Sequence, residues 1–125
     1  MVYLVDDDID DLEIFQEALI HNDYYGPVKT VQNGKMLMDA LSESRKPEVI
    51  VLDLNMPLKN GFEVLRELKS RPELESIPVI VLTSSTNASD RLKCLDLGCT
   101  FFFNKPDSLI GYDPIATEVK KYTGE

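Results

Sequence analysis

Five polar side chains close four short apolar runs of this chain, and their types suit a divalent cation beside a phosphoryl group. Asp6 and Asp7 follow Val2-Tyr3-Leu4-Val5, Asp53 follows Val49-Ile50-Val51-Leu52, Thr83 follows Val79-Ile80-Val81-Leu82, and Lys105 comes just beyond Phe101-Phe102-Phe103. Carboxylates gathered at about 4 Å repel by roughly 4 kcal/mol per pair at an effective dielectric near 20. Raised pKa values or a bound cation must offset that repulsion. Mg²⁺ fits best, being hard, oxygen-seeking and content to share phosphate oxygens, with Mn²⁺ as an acceptable substitute. Asp7 and Asp53 are the expected direct ligands, with Asp6 acting through water and the backbone carbonyl of Asn55 as a further donor. An ionised Asp53 needs no general base to act as a nucleophile. Lys105 supplies a point charge for phosphoryl oxygens, and Thr83, with the small Ser84 behind it, a hydrogen bond.

The elements that would position these groups can be read from periodicity. Short apolar runs with polar ends read as strands buried on both faces of a parallel sheet. The spacing predicts strands at 2–5, 28–32, 49–52, 78–82 and 100–103, the second an edge because Lys29 and Gln32 interrupt it. Helices alternate with them. The first spans 9–21 with Leu12, Phe15, Ala18 and Leu19 inward, and the second spans 35–43 with Met36, Ala40 and Leu41 inward. The third spans 61–70 with Phe62, Leu65 and Leu68. The fourth spans 88–97 with Ala88, Leu92 and Leu95, capped by Asn87 or Asp90 and stopped by Gly98. The last opens on Asp113-Pro114 as cap and first-turn proline, with Ile115, Val119 and Tyr122 inward. Ser42–Glu48 reads as a polar loop. Right-handed crossovers give a doubly wound, flavodoxin-like five-stranded parallel sheet of order 2-1-3-4-5. Its crevice, where the strand order reverses, falls at Asp6-Asp7 and Asp53.

The 125 residues amount to one domain, long enough to bury roughly two thirds of its unfolded surface without disulfides or structural metal. A net charge of −9 argues against binding nucleic acid unaided, since nothing would replace the phosphate counterions. The apolar runs are too short to span a bilayer, and no signal peptide precedes Asp6. Cys94 and Cys99 have neither zinc nor redox spacing and read as small buried residues in a reducing cytoplasm. Asp10, Asp11 and Glu13 read as acids favouring a helix start. His21, the sole histidine, reads as a solvated helix end.

With these residues in place the chain resembles the receiver domain of two-component response regulators, the CheY-like family. The segments that carry the likeness are Leu4-Val5-Asp6-Asp7-Asp8, Val51-Leu52-Asp53-Leu54-Asn55-Met56-Pro57 with Asn60-Gly61, Val81-Leu82-Thr83-Ser84, and Asn104-Lys105-Pro106. They run in order across essentially the whole chain, residues 1–125. The resemblance implies that a sensor histidine kinase or a histidine phosphotransfer protein presents phosphohistidine, and that Asp53 takes the phosphoryl group. Mg²⁺ would be held by Asp6, Asp7, Asp53 and the Asn55 carbonyl. Lys105 and Thr83 would contact the phosphoryl oxygens, and the Lys105–Pro106 peptide would be cis. Phe102 falls at the family's switch aromatic, whose inward turn remodels the face made by the fourth helix, the fifth strand and the last helix for an unknown downstream protein. Three successive phenylalanines also suit a strand covered on both faces. The resemblance admits a homodimer through that face, although the long Pro106–Tyr112 connection and short final helix make its surface unusual. Asn55 and Ser85 sit where the family tunes dephosphorylation.

Other chemistries fit less well. A haloacid-dehalogenase-type phosphatase needs a second aspartate where Asn55 stands. A flavodoxin-like FMN binder needs a phosphate loop where Asp6–Asp8 would repel the ligand. A binding module that works without phosphorylation shares every structural expectation and differs only in a phosphorylation assay. With no basic recognition helix or catalytic motif of its own, the chain is expected to work by binding a partner or as part of a longer protein, modifying itself rather than turning over a substrate.

Overall fold

The computed structural model describes residues 1–43 and 45–124. Strands β1 (Val2–Val5), β2 (Val28–Val31), β3 (Val49–Leu52), β4 (Val79–Thr83) and β5 (Phe101–Asn104) form one parallel sheet in the order β2-β1-β3-β4-β5. The helices are α1 (Ile9–His21), α2 (Gly34–Glu43), α3 (Gly61–Ser70), α4 (Ala88–Asp96) and α5 (Asp113–Lys120), the last entered through a 3₁₀ turn at Ile110–Tyr112. Ser44, in the loop expected at Ser42–Glu48, lies outside the described residues, and α2 extends through the first two residues of that expected loop.

Alternation along the strands divides the core. Tyr3, Val5, Ile50, Leu52, Val79 and Val81 face α2 and α3. Val2, Leu4, Val49, Val51, Ile80 and Leu82 face α1 and α5. Every residue of β1, β3 and β4 is buried, as a sheet covered on both faces requires. The register pairs Val5 with Leu52, and Leu52 with Val81. The first residues past β1 and β3 therefore emerge side by side.

Four packing expectations need correction. Met36 is exposed and Leu37 buried: α2 starts after Asn33, which accepts from the Met36 amide, and its inward stripe is Gly34, Leu37, Ala40 and Leu41. In α4 the inward residue is Cys94, while Leu92 and Leu95 are 64% and 43% exposed. This helix lies over the sheet's rim, where one narrow stripe suffices to cover β5. Asp113 does not cap α5. The 3₁₀ turn runs straight into the helix, so Tyr112 is already helical at the cap position, and the Asp113 carboxylate accepts instead from Asn22 Nδ2. Finally, β5 is an edge strand covered only in part, with Phe102 packed against one core cluster and Phe103 against the other. Phe101 is 40% exposed and stacks on Phe103, with ring centroids 6.1 Å apart.

The β3–α3 connection imposes a tight constraint on the site. A Cβ at Gly61 would lie 2.5 Å from the carbonyl oxygen of Asp53 and 2.7 Å from Leu54 Cα. Both are backbone atoms that cannot swing aside. Gly61→Ala is therefore expected to destabilise the fold by about 2 kcal/mol, the usual scale of overpacking. Urea unfolding measures this, and an unchanged midpoint would show that the loop gives way freely.

Candidate functional site

The sheet's hydrogen-bond ladder runs one step past the strands. The Asp6 amide donates to Val31 O at 3.1 Å and the Asp53 amide to Val5 O at 2.9 Å. These bonds fix both aspartates at the carboxyl edge. Asp6 and Asp53 are 7% and 4% exposed, whereas Asp7 points to solvent. One carboxylate oxygen from each of Asp6, Asp7 and Asp53 falls within 4.8 Å of the other two.

Lys105 enters from β5. Its amide donates to Thr83 O at 2.9 Å, and its ammonium lies 2.7 Å from Asp6 Oδ2, 2.7 Å from Asp11 Oδ2 and 3.7 Å from Asp53 Oδ2. Thr83 is fully buried at the end of β4, where its Oγ1 accepts from the Ser85 amide. Ser85 Oγ donates to Asp90 Oδ2 at 2.6 Å, and Asn104 Nδ2 donates to Ser85 O. The Thr83–Ser85 turn is thereby tied to both α4 and β5. Ser84 is exposed beside it, and Asn55 is exposed past β3. Phe102 is half-buried, packs against the α2–α3 core and lies under Arg91, whose guanidinium carbon is 6.0 Å from the ring centroid.

Burial dominates the electrostatics. It pushes Asp6 up to about 6 from 3.8, helped by the charge of Asp53 and opposed by Lys105 and the Asp8 amide. Burial also raises Asp53, against the pull of Lys105, the Thr83 hydroxyl and the Asn55 and Leu54 amides. For Lys105, burial works against the charge, but Asp11, Asp6 and Asp53 together hold the ammonium well above the ordinary lysine range. One net deficit remains. Asp53 Oδ1 is buried without a hydrogen-bond partner, and an unpartnered buried carboxylate oxygen is costly. A hard cation among Asp6, Asp7 and Asp53 is the natural way to satisfy it, so the donor set fits a divalent metal.

Asp6, Asp7, Asp53, Thr83 and Lys105 thus meet at one edge of the sheet, with one addition and one correction. Asp11 reads in the sequence as an ordinary acid of a helix start, yet it pairs with Lys105. The helix cap is Asp8, which accepts from the amides of Asp10 and Asp11. The expected cis peptide at Lys105–Pro106 is trans, since no described peptide is cis. A prolyl bond admits either isomer, with trans ordinarily favoured by about 0.5–1 kcal/mol, so the dipeptide alone does not select one. His21 is exposed at the end of α1. Cys94 and Cys99 are buried free thiols, and burial lifts Cys94 to about 12, leaving it unreactive.

Residues 2–110 match the family pattern described as the response regulator receiver domain. This chain belongs to that family. As a receiver domain of two-component signalling, it is 34% identical over 115 residues to Response regulator Rcp1 of Synechocystis sp., covering 87% of this chain and 78% of that protein. It is also 34% identical over 105 residues to Two-component response regulator ORR3 of Oryza sativa, covering 84% and 79%. Among solved structures, the phosphorylated cyanobacterial phytochrome response regulator RcpA matches the receiver domain with a TM-score of 0.87 at 35% identity, covering 97% and 91%. The Mn²⁺-bound form of Rcp1 gives 0.82 at 30% identity, again covering 97% and 91%. No described helix of the receiver domain is long and apolar enough to cross a membrane.

Proposed function

We propose that this receiver domain, taken as residues 1–125, accepts a phosphoryl group on Asp53 from the phosphohistidine of a sensor histidine kinase or a histidine phosphotransfer protein. The observation that carries the reading is the unpartnered, buried Oδ1 of Asp53, set among carboxylates and faced by Lys105. Asp6, Asp7, Asp53 and the backbone carbonyl of Asn55 would hold Mg²⁺, with Mn²⁺ as a substitute. When bound, the cation neutralises charge on the approaching anionic group. The Asp53 carboxylate attacks phosphorus. A P–O bond forms, the P–N bond of the donor breaks, and the imidazole leaves with that electron pair. Thr83 and Lys105 take the phosphoryl oxygens, and exposed Ser84 leaves room beside them. Asn55 and Ser85 flank the acyl phosphate, where they would set its rate of hydrolysis.

The output follows as a two-state shift biased by the new charge. Thr83 draws towards the phosphoryl group and Phe102 turns inward, changing the face made by α4, β5 and α5. The exposure of Leu92, Leu95 and Phe101 supports that face as the surface for a downstream protein or a second copy of the chain. The reading places the protein in the cytoplasm, where it modifies itself and turns over no separate substrate. The test is incubation with a small acyl phosphate and Mg²⁺ followed by intact mass. One added phosphoryl group is expected, and none without a divalent cation. Protein left unmodified under both conditions would sink the proposal and leave a phosphorylation-independent binding module.

A further inference from the structure

Asp11 stands in the first turn of α1, 94 residues from Lys105 in sequence. A solvated acid there would help the helix and do nothing else. Instead its side chain is only 26% exposed, and its Oδ2 lies 2.7 Å from the Lys105 ammonium, as close as Asp6 Oδ2. The same small cavity is lined by Asp6, Asp11, Asp53 and Lys105. Asp11 is not one of the three carboxylates close enough to share an ion.

The two anchors of Lys105 therefore differ in one respect. Asp6 belongs to the candidate cation cluster and Asp11 does not. Once a cation draws Asp6 towards itself, Asp6 cannot hold the ammonium unchanged, and Asp11 is the anchor that remains. A lysine side chain with four rotatable bonds and only one anchor depends on that anchor for its place. Its three N–H groups suffice for Asp11, a weakened bond to Asp6 and one phosphoryl oxygen.

We propose that Asp11 is a positioning residue for phosphoryl transfer, holding the Lys105 ammonium beside Asp53 while Asp6 serves the cation. This rests on the reading of Asp53 as phosphoacceptor. The role is indirect, because Asp11 acts only through Lys105, and that property makes it testable.

The experiment follows the phosphorylation rate by intact mass, with a small acyl phosphate and Mg²⁺, for wild type, Asp11→Asn, Asp11→Glu, Lys105→Ala and the Asp11→Asn/Lys105→Ala double variant. Asp11→Asn should slow the reaction about tenfold, the scale of one charge-assisted hydrogen bond. Asp11→Glu should recover part of the loss. The Mg²⁺ concentration giving half the maximal rate should stay at the wild-type value, since Asp11 is outside the ion cluster. In the Lys105→Ala background the asparagine should slow the reaction no further, as expected when one residue works through the other. An Asp11→Asn protein as fast as wild type, or one that adds its own tenfold loss to Lys105→Ala, overturns the role of Asp11 and leaves the receiver reading intact. A wild-type protein that gains no phosphoryl group overturns both.

Discussion

Asp53→Asn protein incubated with an acyl phosphate and Mg²⁺ should remain at its unmodified mass while wild type gains one phosphoryl group. The amide is nearly the same size and shape as the carboxylate, so the ladder bond from its backbone to Val5 O survives. What disappears is the anionic oxygen proposed to attack phosphorus. The same substitution should strengthen the metal-free fold. In wild type, Asp53 is 4% exposed with one oxygen unpartnered, and its charge helps push Asp6 up. Removing that charge lowers the cost of burying the side chain and ends its repulsion of Asp6, so thermal unfolding without divalent cation should shift to higher temperature. Mg²⁺ should then stabilise the variant less than it stabilises wild type, because a ligand's contribution follows its affinity. Phosphoryl transfer to the asparagine variant at the wild-type rate would mean that another acid is the acceptor.

How much of this was legible in the sequence depended on whether one contact or many decided the outcome. The sheet was legible because β1, β3 and β4 are apolar runs bounded by polar residues, and a doubly wound sheet of five strands buries all of them. Asp6, Asp7, Asp53, Thr83 and Lys105 were legible because strand ends fix position to within a residue. Helix faces were less so. Met36 and Leu37 are adjacent apolar residues that helical spacing alone does not separate, and the one that faces in is Leu37. Leu92 and Leu95 satisfy helical spacing, yet Cys94 takes the inward place because α4 covers a rim. The second role of Asp11, its pairing with Lys105, is hidden for a related reason. An acid in a first turn has a sufficient local explanation, and nothing local reveals a lysine 94 residues away. The isomer at Lys105–Pro106 likewise depends on surroundings that a dipeptide does not carry.

Lys105→Ala should have the largest effect on the metal-free fold. The Lys105 side chain is 13% exposed and its ammonium stands between Asp6, Asp11 and Asp53. Without it, two buried carboxylates that burial already raises face each other with no cation. Breaking a buried ion pair from one side typically costs about 3 kcal/mol, which for a chain of this size lowers the melting temperature by roughly 10 °C. The pH dependence gives the signature. Asp6 lies at about 6 in the fold against 3.8 as an ordinary aspartate, so between those values the folded state binds more protons than the unfolded state. Stability therefore rises as pH falls through 6 and levels off below about 4. Lysine removal deletes a hydrogen bond and a charge that hold Asp6 down, which moves the upper end of that window towards neutrality. The variant should lose stability more steeply than wild type from pH 6 to 8, and acid or millimolar Mg²⁺ should restore most of the difference. Asp53 should still take a phosphoryl group, at a rate no faster than in Asp11→Asn, but without the change in partner binding expected of wild type. A variant that melts like wild type at pH 8 without divalent cation would show that the carboxylates are protonated or hydrated independently of Lys105. Phosphorylation-dependent partner binding equal to wild type would remove Lys105 as the link between Asp53 and the α4–β5–α5 face.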